Sequence, residues 1–208
     1  MAQPFLTDES KRALLAAVRE IEACSSAEVV VSVRPRSGFY LHADLIGGIA
    51  AAVAVLVILL FSPWEFRLAW FVVDPLVSGA LAGLATSRSA VLRRLLTRRR
   101  DRIRWVHEAA AAEFIAKRIH RTAARTGILL YVSVLEREAA FVVDLGVQTL
   151  ATTDSWRHAV GDLLEAVRGG ADGVEVAAKL QALAPILTPA LVRAEEDVDE
   201  LSDEVCEQ

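Results

Sequence analysis

Residues 45–61, LIGGIAAAVAVLVILLF, and residues 68–85, LAWFVVDPLVSGALAGLA, are separated only by the turn Ser62-Pro63-Trp64-Glu65-Phe66-Arg67. The first run has no charged residue and the second has one, Asp74. An arginine-dense stretch follows at once, with eight arginines between Arg88 and Arg104. A helix rising about 1.5 Å per residue needs roughly 20 residues to cross the hydrocarbon of a bilayer. Both runs meet that length once their flanks are counted, and the pair reads as a transmembrane helical hairpin. Its rival reading, a helical hairpin buried in a soluble core, fits poorly with two uninterrupted apolar runs beside an arginine cluster.

Orientation follows from the basic residues near the helix ends. Arg34 and Arg36 precede the first run, Arg67 alone sits in the turn, and the arginine cluster follows the second run. Positive flanks stay in the cytoplasm, so both long flanks are expected there. Trp64, Phe66 and Trp70 are then headgroup-level aromatics at the outer interface. The expected topology is two spans with cytoplasmic N- and C-termini. The first 40 residues lack a signal-peptide pattern, so targeting is expected to reside in the hairpin. Gly79 and Gly83 form a small-xxx-small step suited to close helix packing, within the hairpin or between copies. Asp74 precedes Pro75, and an acid inside a span is a functional candidate by default. Its closeness to the outer end favours an interfacial or kink-related role.

The 208 residues are 54% hydrophobic with net charge −4, so nothing marks a nucleic-acid partner. Cys24 and Cys206 have no metal-ligand spacing and fit a reducing compartment.

The hairpin interrupts α/β elements. Thr7 is an N-cap for a helix carrying Leu14, Leu15, Val18 and Ile21 at helical spacing and ending near Cys24-Ser25-Ser26. Residues 28–33, EVVVSV, read as a strand. A long basic helix is expected from about Ser89 to Ala124, able to lie along an anionic inner leaflet through Arg88–Arg104. Two strands, 128–134 and 139–145, flank the turn at Glu136-Arg137 and predict an antiparallel hairpin. Helices at 155–168 and about 172–183 follow, and an acidic tail closes the chain. The expected layout is 1–40 for the first part of an α/β domain and 41–87 for the hairpin (helices at about 45–61 and 68–86). Residues 88–190 form a basic juxtamembrane helix and the rest of the domain, and 191–208 the tail.

The segments His120-Arg121-Thr122, Arg125 through Ser133, Glu136-Arg137, Val143-Asp144-x-Gly146-Val147 and Trp156, with Ser26-Ala27-Glu28-Val29-Val30-Val31 before the hairpin, closely resemble the TPM-domain family. The likeness is to its bacterial membrane-inserted branch and covers essentially the whole chain. It departs at Ala27, where the pattern has glycine. The resemblance implies a compact α/β sandwich with the two-helix hairpin inserted after the first strand. Activities linked to the family include weak acid phosphatase activity and calcium binding in plant members, and interaction roles elsewhere.

From the residues themselves no P-loop, dinucleotide fingerprint, nucleophile elbow or zincin motif emerges. Carboxylates at strand ends and in loops bind hard cations through oxygen, which makes Asp144, Glu136 and Glu28 the metal candidates, with Ca2+ the cation that the resemblance implies. Arg125, His120 and Arg121 are the phosphate or anion candidates. Each also has a structural reading: strand terminator, turn residue, or helix-to-strand connection. Two function classes result. One is a membrane-tethered interaction or regulatory module, with the lipid bilayer and a protein partner or second copy as partners. The other, less favoured, is a divalent-cation-dependent phosphatase. The second requires Glu28, Glu136, Asp144 and Arg125 to share one cleft.

Overall fold

The computed structural model describes residues 5–192 and the backbone of residues 206–207. The chain forms two units: one built from residues up to Ser37 together with those from Ile103 onward, the other from Gly38–Arg102.

In the discontinuous unit, α1 (Asp8–Cys24) starts where the Thr7 hydroxyl accepts the Ser10 amide at 3.1 Å, with Asp8 and Glu9 in the first turn. Both features stabilise a helix N-terminus. It ends as the Ser25 hydroxyl donates to the Ile21 carbonyl at 2.7 Å. β1 (Glu28–Arg34) then pairs in parallel with β2 (Gly127–Ser133), from Glu28 opposite Gly127 to Arg34 opposite Ser133. β2 turns back antiparallel into β3 (Glu138–Val143), and the two-residue β4 (Cys206–Glu207) lies beside Ser32 and Val33, giving the order β3-β2-β1-β4. Every residue of β2 is buried. That is why its sequence is a continuous apolar run and not an alternating one.

Each sheet face has its own core. Val29, Val31, Ile128, Leu130 and Val132 pack with Leu14, Val18 and Ile21 of α1 and with Leu163 and Leu180 of two later helices. Val30, Leu129, Tyr131 and Ala140 pack with Val106, Ala110, Phe114 and Ile119. The later helices are α6 (Leu145–Ala151), α7 (Asp154–Gly169), α8 (Gly173–Gln181) and α9 (Ala184–Leu187). Thr153 and Asp172 cap α7 and α8 through their side-chain oxygens. The antiparallel β2–β3 hairpin and the two capped helices match the sequence expectations within a few residues. The fold is mixed α/β. Of the expected acidic tail, residues 193–205 and 208 lie outside the described residues.

The second unit holds α2 (Leu41–Phe61), α3 (Trp70–Arg88) and α4 (Ala90–Leu96). α2 and α3 have 21 and 19 residues and are long and apolar enough to cross a membrane. At 1.5 Å per residue they reach about 31 and 28 Å. Ile58, Leu60, Val72, Leu76 and Leu81 stay exposed, as expected for a surface facing lipid. The glycine step is consumed inside the hairpin. A Cβ at Gly79 would lie 3.1 Å from both the Ala52 Cβ and the Gly48 carbonyl oxygen, and one at Gly83 3.2 Å from the Asp44 carbonyl oxygen. Asp74 is half-buried early in α3, and the carbonyl of its neighbour Pro75 accepts the Ser78 hydroxyl at 3.1 Å.

The single helix expected from Ser89 to Ala124 is corrected to three pieces. α4 stops at Thr97, which is extended and buried, its hydroxyl bonded to His42 Nε2 at 3.1 Å. α5 (Arg99–Ala116) then runs to Arg118, which takes a left-handed φ of 57° before a 3-10 turn at Ile119–Arg121. Consequently α4 belongs with the membrane-length helices and not, as expected, with the α/β domain.

The seam makes a prediction. Gly79→Leu drives a side chain into the α2 backbone and is expected to destabilise the hairpin by about 1–3 kcal/mol, the usual range for overpacking. Ala80→Leu, at an exposed neighbouring position, should change little. Thermal unfolding of the two variants in detergent measures the contrast.

Candidate functional site

The two ends of the sheet carry different polar clusters. At the first, Glu28 lies opposite Gly127, and the Asp144 amide donates to the Gly127 carbonyl at 2.9 Å. Asp144 is buried. Its Oδ1 accepts the Leu145 amide at 2.7 Å, and its Oδ2 has no hydrogen-bond partner. The Gly146 amide donates to the Arg125 carbonyl at 2.9 Å, and a Cβ at Gly146 would lie 2.7 Å from that oxygen. Only glycine admits this approach. Arg125 has φ 51°, the Thr126 amide donates to the Thr122 hydroxyl at 3.1 Å, and the Thr126 hydroxyl donates to the Ser26 carbonyl at 2.6 Å. The Arg-Thr-Gly and Asp-x-Gly segments thus meet as one backbone junction, and Arg125 joins it through its carbonyl. The side chains of Arg121 and Arg125 are exposed. His120 is half-buried with its ring 6.4 Å from that of Phe114.

Glu136 sits at the opposite end, separated from Glu28 and Asp144 by the length of β2, about 20 Å at 3.3 Å per residue. It is 1% exposed. Its Oε1 accepts the Ser37 amide at 3.0 Å and its Oε2 the Ser133 hydroxyl at 2.5 Å. The expected metal set is therefore corrected: Glu28, Glu136 and Asp144 do not converge, because Glu136 is spent closing the turn after β2. Among the described residues no three His, Cys, Asp or Glu side chains form a group that could hold a metal ion. A Ca2+ cage needs six or more oxygens around one point, and this acid set does not supply it.

The second end continues into a network that sequence reading missed. The Ser37 hydroxyl bonds Ser133 at 2.8 Å and the Tyr131 hydroxyl at 2.9 Å. Beside it, Glu113 of α5 accepts the Ser32 hydroxyl at 2.6 Å and Arg34 Nε at 3.0 Å, and pairs with Lys117 at 3.3 Å. Burial alone would raise the Glu113 carboxyl. The Ser32 hydroxyl, the Arg34 guanidinium and the Lys117 ammonium outweigh it and hold the group below its ordinary range. Burial pushes the Tyr131 phenol up. A cavity of about 570 Å³ opens here, lined by Arg34 at the end of β1, by Arg36 and Ser37 after it, by Ala109, Ala112 and Ala116 of α5, and by Glu113 and Tyr131. The small alanines leave the room, and the ion pair and hydroxyl chain make one wall polar and fixed. The cavity combines hydrogen-bonding groups of both kinds with an aliphatic wall. The available signal was a serine inside a β-branched run, on the same strand face as Arg34.

No protein-family model matches the chain, and no curated protein matches it. Among solved structures it is similar to the BA42 protein of the psychrophilic bacterium Bizionia argentinensis, solved by NMR. The TM-score is 0.60 at 15% identity, covering 100% of this chain and 99% of that one. The likeness is one of fold.

Glu113 supplies the test of the network. Its folded pKa is depressed, so its contribution is complete above the unfolded value of about 4.3 and is lost as pH falls through the folded value. Glu113→Gln is expected to cost about 1–3 kcal/mol at neutral pH, the range for disrupting a charged buried hydrogen-bond partner. It should also flatten the acid limb of stability. Thermal unfolding of the full chain in detergent, from neutral pH into the acid range, compares the two limbs.

Proposed function

We propose that this protein is a membrane-anchored TPM-like α/β module that acts by interaction or regulation at the inner face of the bacterial plasma membrane. The observation that carries the reading is the parallel pairing of β1 with β2. The two strands on either side of the apolar hairpin form one sheet, which supports a topology with both flanks of the hairpin on one side of the membrane. The arginine asymmetry makes that side cytoplasmic. The domain is joined to the hairpin by two chain connections, at Ser37–Gly38 and Arg102–Ile103. The bilayer is the first partner. A protein partner is read by the groove between α5 and residues 34–37.

The phosphatase reading gains no support. It needs Glu28, Glu136, Asp144 and Arg125 in one cleft, and Glu136 lies a sheet length away with both carboxylate oxygens engaged. Purified full-length protein is therefore expected to show only background phosphomonoester hydrolysis, with or without calcium or magnesium, and Asp144→Ala should not change it. Metal-dependent turnover lost in that variant would reinstate the enzyme. Topology is checked separately: a reporter that works only in the periplasm, fused after Gln208, should be inactive. For the groove, Ala112→Trp should fill the space and abolish copurification of a partner from membranes in mild detergent, while leaving thermal unfolding near that of the parent.

A further inference from the structure

α4 is attached to its unit in the inverse of the usual manner. At about 100° per residue, Val91, Leu95, Leu92 and Leu96 fall within an arc of about 140°, and Arg93 and Arg94 fall on the other side. A helix of a water-soluble fold turns its aliphatic arc inward. Here the inward anchor is Arg93. Its Nε donates to Asp44 Oδ1 at 3.0 Å and its terminal nitrogen to Oδ2 at 2.7 Å, while the guanidinium carbon lies 5.6 Å from the centroid of the Tyr40 ring. The pair is well covered, with side-chain exposures of 13% and 17%. The His42–Thr97 bond fixes the far end of the helix. Val91, Leu92 and Leu95 remain 56%, 40% and 76% exposed, and α4 buries no residue at all.

Depth and charge say what covers this face. Asp44 is in the first turn of α2, and only Ser89 separates the end of α3 from the start of α4. The start of α2 and the end of α3 pack together, with Gly83 against the Asp44 carbonyl. So α4 sits at the end of the hairpin where both membrane-length helices meet the boundary of the apolar zone. Arg88, Arg93, Arg94, Arg98, Arg99 and Arg100 surround it, and no acidic residue occurs from Pro75 to Arg100. An aliphatic arc continuous with the two apolar helices, in a stretch where arginines outnumber acids, fits an anionic phospholipid leaflet.

We propose that α4 lies in the plane of the inner leaflet. Val91, Leu92 and Leu95 enter the boundary between headgroups and acyl chains, and the flanking arginines meet the phosphates of anionic lipids. The Asp44–Arg93–Tyr40 clamp sets the roll of the helix. The inference rests on the reading of α2 and α3 as membrane spans, and its test separates the two. Full-length protein in a Cys24→Ser, Cys206→Ser background receives one fluorophore at Leu95→Cys, Arg94→Cys or Ile49→Cys. It is reconstituted into phosphatidylcholine bilayers with or without phosphatidylglycerol. Lipid-borne and aqueous quenchers are then compared.

Position 95 should be quenched several-fold more by the lipid-borne quencher than position 94, and iodide should reverse the order. Phosphatidylglycerol should deepen the contrast, and high salt should remove that gain. Asp44→Asn should narrow the difference between 94 and 95 by freeing the roll of α4. If position 49 is quenched by lipid but 95 is quenched by iodide as fully as 94, the α4 proposal fails alone. If 49 is also open to iodide and silent to lipid, the membrane reading fails with it. Protection of position 95 from both quenchers, with energy transfer between labelled copies, would assign the face to a second chain and overturn the lipid proposal.

Discussion

The parallel pairing of β1 with β2 is the constraint on which the rest depends. Parallel neighbours cannot be joined by a tight turn and require a long crossover. In this chain the crossover contains α2, α3, α4 and α5. β2 is buried on both faces, so the sheet needs helices on either side. α5, arriving from the crossover, covers one face, and α1, α7 and α8 cover the other. The backbone junction of Thr126, Gly127, Asp144 and Gly146 holds one end of the β2–β3 pair, and the buried Glu136 holds the other.

The α5 face also carries an ionic network that a purely apolar face would not need. Desolvating Glu113 is costly, and its contacts with Ser32, Arg34 and Lys117 offset that cost. Removing Arg34 or Lys117 leaves the buried Glu113 carboxylate with fewer partners, so the cluster behaves as a unit. It fixes where α5 lies along the strands, because a slide of one residue would carry Glu113 away from both Ser32 and Arg34. The groove beside it inherits its shape from that registration.

Local chemistry made much of this fold legible in the sequence. The membrane-length helices follow from two long apolar runs, the strands from β-branched runs, and α1 and α7 from Thr7 and Thr153 at their caps. The break at Thr97 was not legible. Leucine and arginine on either side favour helix, and the break is imposed by His42, a residue 55 positions away. The Glu113 network was hidden for the same reason, since Ser32 and Glu113 are 81 positions apart. Glu136 is a turn residue whose carboxylate oxygens are both engaged, by the Ser37 amide and the Ser133 hydroxyl. Its burial is a property of the loop at Ser37 that folds over it, which no local pattern records. The Asp-x-Gly segment stood out in sequence because glycine is compulsory where two backbones nearly touch.

The split of the sheet across the inserted hairpin has a consequence for the life of the molecule. A nascent chain emerges from its N-terminus, so β1 is complete while its neighbour β2 is still two membrane-length helices away from being made. Until then the strand has only α1 for company, and its β-branched edge is the kind of surface that recruits strangers. The sheet closes only after the whole crossover has been made. Native tertiary structure here thus serves as a receipt for a finished crossover. A chain that stops short of Gly127 keeps an orphan strand, and that orphan strand is what quality control would see.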